Sequence, residues 1–103
     1  MNPTSEAKFD ELIHAPTRLL ICANLAPVQW VEFAYLRDAL EVADSVLSKH
    51  LKQLSDAGYV HIERFTKSGR SYVRAALSKK GRKAYVGHVA ALRAITETSG
   101  ESY

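Results

Sequence analysis

The ten residues SVLSKHLKQL, 45–54, decide how the rest of the chain is read. Leu47, Leu51 and Leu54 fall at i, i+4 and i+7, the spacing of one face of an α-helix. At about 100° per residue, Leu51 and Leu54 lie within about 40° of Leu47. Ser45, Ser48, Lys49, Lys52 and Gln53 gather on the opposite side, with His50 at the edge of the leucine stripe. Taken alone, this is an amphipathic surface helix whose polar face is solvated. The segments on either side of it change that reading.

Just upstream, FAYLRDAL predicts a helix with Phe33, Leu36 and Leu40 turned inward. Only EVAD separates it from the next helix, 44–57, for which Asp44 is the expected N-cap and Gly58 the left-handed terminator. Two short helices joined by a tight turn form a helix-turn-helix pattern. Downstream the period changes from helical to alternating. YVHIERF and SYVRAALS are rich in β-branched and aromatic residues, and TKSGR between them supplies a turn with a basic tip. The segment 60–77 is therefore expected to be a β-hairpin.

Working outward, SEAKFDELIH predicts a short first helix, about 5–14, with Ser5 as cap and Phe9, Leu12 and Ile13 on one face. Pro16 suits the first turn of the apolar helix PTRLLICANLA, and Pro27 ends it. VQWVEF reads as a short strand or an extended linker. Ser78 is expected to cap a long last helix, about 78–97, with Tyr85, Val89, Leu92 and Ile95 at helical spacing beside Ala84 and His88. Gly81 and Gly87 weaken the case for an unbroken helix, and the tail from Thr98 is expected to fray. The order is helix, helix, short strand, helix, helix, strand, turn, strand, helix. The expected fold is mainly α with a small β-hairpin, a winged helix-turn-helix, in one domain spanning 1–103.

Charge is distributed unevenly. Between Asp44 and Arg82 nine bases face three acids, a balance of +6, whereas the rest of the chain carries five bases and eight acids, a balance of −3. Such asymmetry points to a polyanionic partner, nucleic acid ahead of an anionic membrane surface. The single cysteine, Cys22, excludes an internal disulfide and a multi-cysteine zinc site, and fits a reducing cytoplasm. MNPTSEAKFDELIH has early acids and no apolar run, so no signal peptide is expected. No stretch approaches the roughly 18 apolar residues that would suggest a membrane span. His14, His50, His61 and His88 have no short ligand spacing, so neither a metal nor a cofactor is expected. No phosphate loop, nucleophile elbow or paired-carboxylate pattern marks an enzyme, and no residue is assigned as catalytic.

Together these features turn the polar face of 44–57 into a candidate nucleic-acid surface. Short hydroxyls allow close approach to a DNA groove, and lysines supply attraction to phosphates. The candidate residues are Ser45, Val46, Ser48, Lys49, His50, Lys52 and Gln53 on the helix. Arg64, Lys67, Ser68 and Arg70 are the candidates on the hairpin. His50 suits either a DNA contact or a structural role, and Trp30 and Tyr59 are expected at the core or its edge.

The chain resembles the short single-domain MarR/ArsR-like winged-helix transcriptional regulators. The likeness is carried by APTRLLICANL, FAYLRDALEVADSVLSKHLKQLSDAGYV and RSYVRAALSKKGRKAYVGHVAALRAI. Family members usually have Thr where this chain has Ser78, a change that keeps the cap. The resemblance implies a cytoplasmic, homodimeric regulator of double-stranded DNA. Ser45, Val46, Ser48, Lys49 and Lys52 match its recognition helix, and Lys67 to Arg70 its wing. It also implies dimerisation through the terminal helices. Metal-sensing signatures are absent, and a small-molecule effector near the dimer interface is compatible with the family but has no residue pattern here. Two alternatives stay open: a winged helix used as a protein–protein interaction module, and an effector or redox sensor, through Cys22, built on the same fold.

Overall fold

The computed structural model describes residues 7–101, with side chains as far as Glu97. The elements are α1 (Glu11–His14), α2 (Pro16–Leu25), β1 (Val31–Glu32), α3 (Phe33–Leu40), α4 (Asp44–Asp56), β2 (Val60–Lys67), β3 (Arg70–Leu77) and α5 (Lys79–Glu101). The three strands form an antiparallel sheet in the order β1-β3-β2. This is the winged helix-turn-helix arrangement expected from the sequence.

The leucine stripe does what its spacing implies. Leu47, Leu51 and Leu54 are buried among Ile13, Ile21, Cys22, Leu25 and Leu36, with Val60, Ala75 and Leu77 closing the core from the sheet. Burial of a leucine side chain is worth about 1.5–3 kcal/mol, so the stripe anchors α4 and leaves its other face free. The helix ends in a left-handed Gly58, φ +81°. There Tyr59 N–H donates to Leu54 O and Gly58 N–H to Ser55 O, satisfying carbonyls that the helix itself cannot.

The hairpin turn is tighter than TKSGR suggested. Strand pairing runs to Lys67↔Arg70, leaving only Ser68 and Gly69 in the loop, both at positive φ. Two left-handed central residues give a turn whose twist matches that of the flanking strands. On the outer side of the sheet Phe65 and Tyr72 stack across the strands, ring centroids 5.5 Å apart. The Arg74 guanidinium lies 4.3 Å from the centroid of Trp30 and 5.1 Å from that of Phe65, and its Nε donates to Glu63. These contacts stiffen the hairpin stem.

Three helix boundaries differ from expectation. The first helix begins at Glu11, because the Asp10 carboxylate caps it by accepting from Ile13 N–H at 3.0 Å. The expected cap, Ser5, lies outside the described residues, and residues 7–10 are not helical. Asp44 is not the N-cap of α4: Ala43 holds that position and makes no side-chain cap bond. Asp44 sits inside the first turn, where its negative charge suits the helix dipole and accepts from Arg37 of α3 at 3.1 Å. The last helix runs unbroken through Gly81 and Gly87 to Glu101, past the expected end at 97. Its N-terminus carries the expected cap, Ser78 Oγ accepting from Gly81 N–H at 2.9 Å. At 23 residues α5 is about 34 Å long. The described residues measure 57 × 30 × 21 Å.

Candidate nucleic-acid interface

With the leucines of α4 buried, Ser45, Val46, Ser48, Lys49 and Lys52 are all exposed. None of these five has a contact that would turn it inward. Lys52 pairs with Asp56 at 3.2 Å, but both side chains are mostly in solvent. Such a pair is worth no more than about 1 kcal/mol, so Lys52 remains available to a phosphate.

The hairpin places Arg64 beside this face. Ser48 and Arg64 line one shallow depression of about 360 Å³, together with Phe33, Asp44, Ile62 and Val73. Lys67, Ser68 and Arg70 are exposed at the far end of the hairpin. The structure therefore brings Arg64 next to the helix and holds the other basic residues out along the wing.

His50 and Gln53 stand apart from this group. Both are half-buried and turned toward Arg18 of α2. Arg18 Nη1 lies 3.0 Å from His50 Nδ1 and donates to Gln53 Oε1 at 2.8 Å, while its Nε donates to Leu12 O at 2.5 Å. Burial, followed by the nearby Arg18 charge, lowers the His50 pKa. Sequence reasoning missed Arg18. Its signal was available: it is the single charged residue in the apolar run PTRLLICANLA.

A second polar cluster, also missed, supports the domain from behind. His88 of α5 is fully buried, and its Nδ1 accepts from Asp10 N–H at 2.9 Å. The backbone N–H can only donate, so the His88 proton resides on Nε2, which lies 3.2 Å from His14 Nδ1. Phe9 covers both rings at 4.7 Å. The other Asp10 oxygen accepts from Tyr59 O–H at 2.5 Å, a bond that, with burial, pushes the phenol up to about 12. One aspartate thus joins α1, α5 and the base of the hairpin.

Burial, and then the His14 charge, lower the His88 pKa below its ordinary 6.5. The unfolded chain therefore takes up this proton first. The stabilisation is complete above about 6.5 and is lost as pH falls through the folded value, with a slope of up to about 1.4 kcal/mol per pH unit. Urea titrations at pH 7.5, 6.5 and 5.5 are expected to show stability falling with pH, and His88→Asn is expected to flatten the slope. Parallel slopes in the two proteins would refute this role.

Among the described residues no group of three His, Cys, Asp or Glu is placed to hold a metal ion. Among the same residues no helix is long and apolar enough to cross a membrane.

The family model described as "Winged helix DNA-binding domain" matches residues 17–96. The chain belongs to this family. The winged-helix domain is 29% identical over 79 residues to an uncharacterized protein of Methanocaldococcus jannaschii, covering 77% of this chain and 86% of that protein. Among solved structures it is similar to a transcriptional regulator homologue of Pyrococcus horikoshii OT3. The TM-score is 0.81 at 19% identity, over 95% of this chain and 97% of that one. It is also similar to a variant of Lactococcus lactis ZitR in complex with DNA. There the TM-score is 0.65 at 22% identity, over 92% of this chain and 64% of that one. At these identities the two structures establish the shared fold; the family match is what establishes a DNA-binding domain.

Proposed function

We propose that this protein is a sequence-specific transcriptional regulator that binds double-stranded DNA as a homodimer. The observation that carries this reading is the α4 surface. Ser45, Val46, Ser48, Lys49 and Lys52 are exposed opposite three buried leucines, in a chain of a DNA-binding family. Short residues toward the N-terminal end of α4 permit close approach to base edges, and the lysines that follow neutralise phosphates. Arg64, Lys67, Ser68 and Arg70 place the wing along the adjoining backbone or minor groove.

Support for the dimer comes from α5. Tyr85, Val86, Val89 and Ala90 are only half-buried, and Ile95 is 54% exposed. A second copy packed on this strip, with the first helix, would cover it. Two recognition helices related by a two-fold axis would enter successive major grooves about 34 Å apart, on a palindromic site. This role places the protein in the cytoplasm with its DNA. Cys22 does not favour a redox-sensing version: it is fully buried, and burial pushes its thiol up to about 12, the reverse of a reactive cysteine.

Selection of duplexes from fragmented genomic DNA by the purified protein tests the reading and gives the half-site spacing. Lys49→Ala and Lys52→Ala are each expected to weaken binding to the selected duplex. Each lost phosphate contact should reduce the slope of log affinity against log salt by roughly one. No retained duplex at low salt would refute the proposal.

A further inference from the structure

His50 and Gln53 are ambivalent side chains. A neutral imidazole carries one donor and one acceptor, and a carboxamide carries both. Alone, neither would discriminate donors from acceptors on a partner. Arg18 removes the ambiguity. A guanidinium has five N–H donors, no acceptor, and a pKa too high to lose a proton. The atoms facing it must therefore accept.

The two contacts consequently fix the chemistry of the opposite ends. With His50 Nδ1 at 3.0 Å from Arg18 Nη1, the His50 lone pair faces Arg18 and the ring proton is on Nε2, at the other edge of the ring. With Gln53 Oε1 accepting at 2.8 Å, the Gln53 amide NH₂ is turned away from the guanidinium. The two residues are three apart, so they lie on the same flank of α4, next to Lys49. The third Arg18 bond, to Leu12 O, fixes the guanidinium to the backbone of α1 and keeps it from following either partner.

We infer that Arg18 is a positioning residue that presents His50 and Gln53 as paired donors, so that this flank of α4 selects acceptor atoms of DNA. Those acceptors are phosphate oxygens or the N7 and O6 edges of purines; exocyclic amino groups are disfavoured. The inference rests on the DNA-binding reading above. It gives His50 a mixed role: one ring nitrogen holds the fold and the other meets the ligand. Lysine in place of Arg18 would keep the charge, but its single nitrogen cannot span Leu12 O, His50 and Gln53 together.

The test uses the intact protein and a duplex that the wild type itself selects from a random pool. Long-range ¹⁵N NMR of the imidazoles should show His50 in the Nε2–H tautomer in the wild type and a tautomer mixture in Arg18→Met. Arg18→Met is expected to lower affinity for the duplex about tenfold. In a His50→Ala/Gln53→Ala background the same substitution should change affinity less than about twofold, because the groups it positions are gone. Should Arg18→Met fail to melt cooperatively, Arg18→Lys replaces it, with a smaller loss and the same non-additivity expected.

Loss of the effect on base substitution would identify purine edges as the acceptors, and an effect that survives base substitution would identify phosphates; both uphold the inference. An equal loss in the two backgrounds, or an unchanged tautomer, overturns it. A wild type that selects no duplex refutes the DNA reading and leaves the tautomer result to judge Arg18 separately.

Discussion

Gly81→Ala should destabilise the domain by about 3 kcal/mol, the upper end for overpacking a tight contact. Inside a helix this change is normally favourable by about 1 kcal/mol, since alanine is the better helix former. Here a methyl group built on Gly81 would meet Tyr59 O at 1.9 Å, with Tyr59 C and Cα at 2.7 and 2.9 Å. All three atoms are backbone, so no rotamer change relieves the clash. Tyr59 is held where it is. Its carbonyl accepts from Ser78 N–H at 2.9 Å, its own N–H closes the end of α4, and its hydroxyl is bonded to Asp10.

An alanine must therefore push α5 away from the junction of α4 and β2. The Ser78 cap and the Asp10 cluster would loosen with it. For a domain of this size the loss corresponds to a fall of about 10–20 °C in melting temperature. Scanning calorimetry would show it. A melting temperature at or above that of the wild type would mean that the close approach of α5 is not a constraint on the fold.

That contact also illustrates what can be read from a sequence and what cannot. The stripe of Leu47, Leu51 and Leu54 is a local, periodic signal, and its burial follows directly from the spacing. Pro16, Gly58 and Ser78 act through their immediate neighbours, and each is found where local chemistry places it. Gly81 looked like a weak point in a helix because its partner, Tyr59, is distant in sequence and the reason for the glycine is tertiary. Asp44 and Asp10 show the same limit from the other side. Either can cap a helix, yet Asp44 falls one position inside α4 and pairs with Arg37, while Asp10 falls at the N-cap of α1 and accepts from Ile13 N–H.

The exposed face of α4 was legible because exposure is the complement of the leucine stripe. The roles of His50 and Gln53 were not, because they depend on Arg18, more than thirty residues earlier in the chain. The buried histidine of α5 was hidden for a like reason: one face of a helix cannot reveal which polar group on another segment will meet it.

Ser48→Glu separates the ligand-binding face from the fold, and its effect on DNA should be the larger of the two. Ser48 is exposed on α4, one turn after Asp44 and beside Arg64. Glutamate is a better helix former than serine. Repulsion from Asp44 at i, i+4 costs only about 0.2–0.5 kcal/mol. Stability should therefore stay within about 0.5 kcal/mol of the wild type, as for other surface substitutions. At the DNA surface the change is severe. A short hydroxyl that fits close to the groove becomes a longer carboxylate facing base acceptors and phosphates. Like-charge juxtaposition at an interface costs several kcal/mol, so affinity for the selected duplex should fall at least about a hundredfold.

The residual binding should also change character. Lys49, Lys52, Lys67 and Arg70 are untouched and still attract phosphates, so salt-sensitive attraction to arbitrary duplex persists. Affinities for the selected and a scrambled duplex should consequently converge in Ser48→Glu, while both fall together in Lys49→Ala. Ser48→Ala, which adds neither length nor charge, should lose far less than Ser48→Glu. If Ser48→Glu binds the selected duplex as tightly as the wild type, with the discrimination intact, α4 does not enter the groove by this face. The basic wing would then have to carry recognition without it.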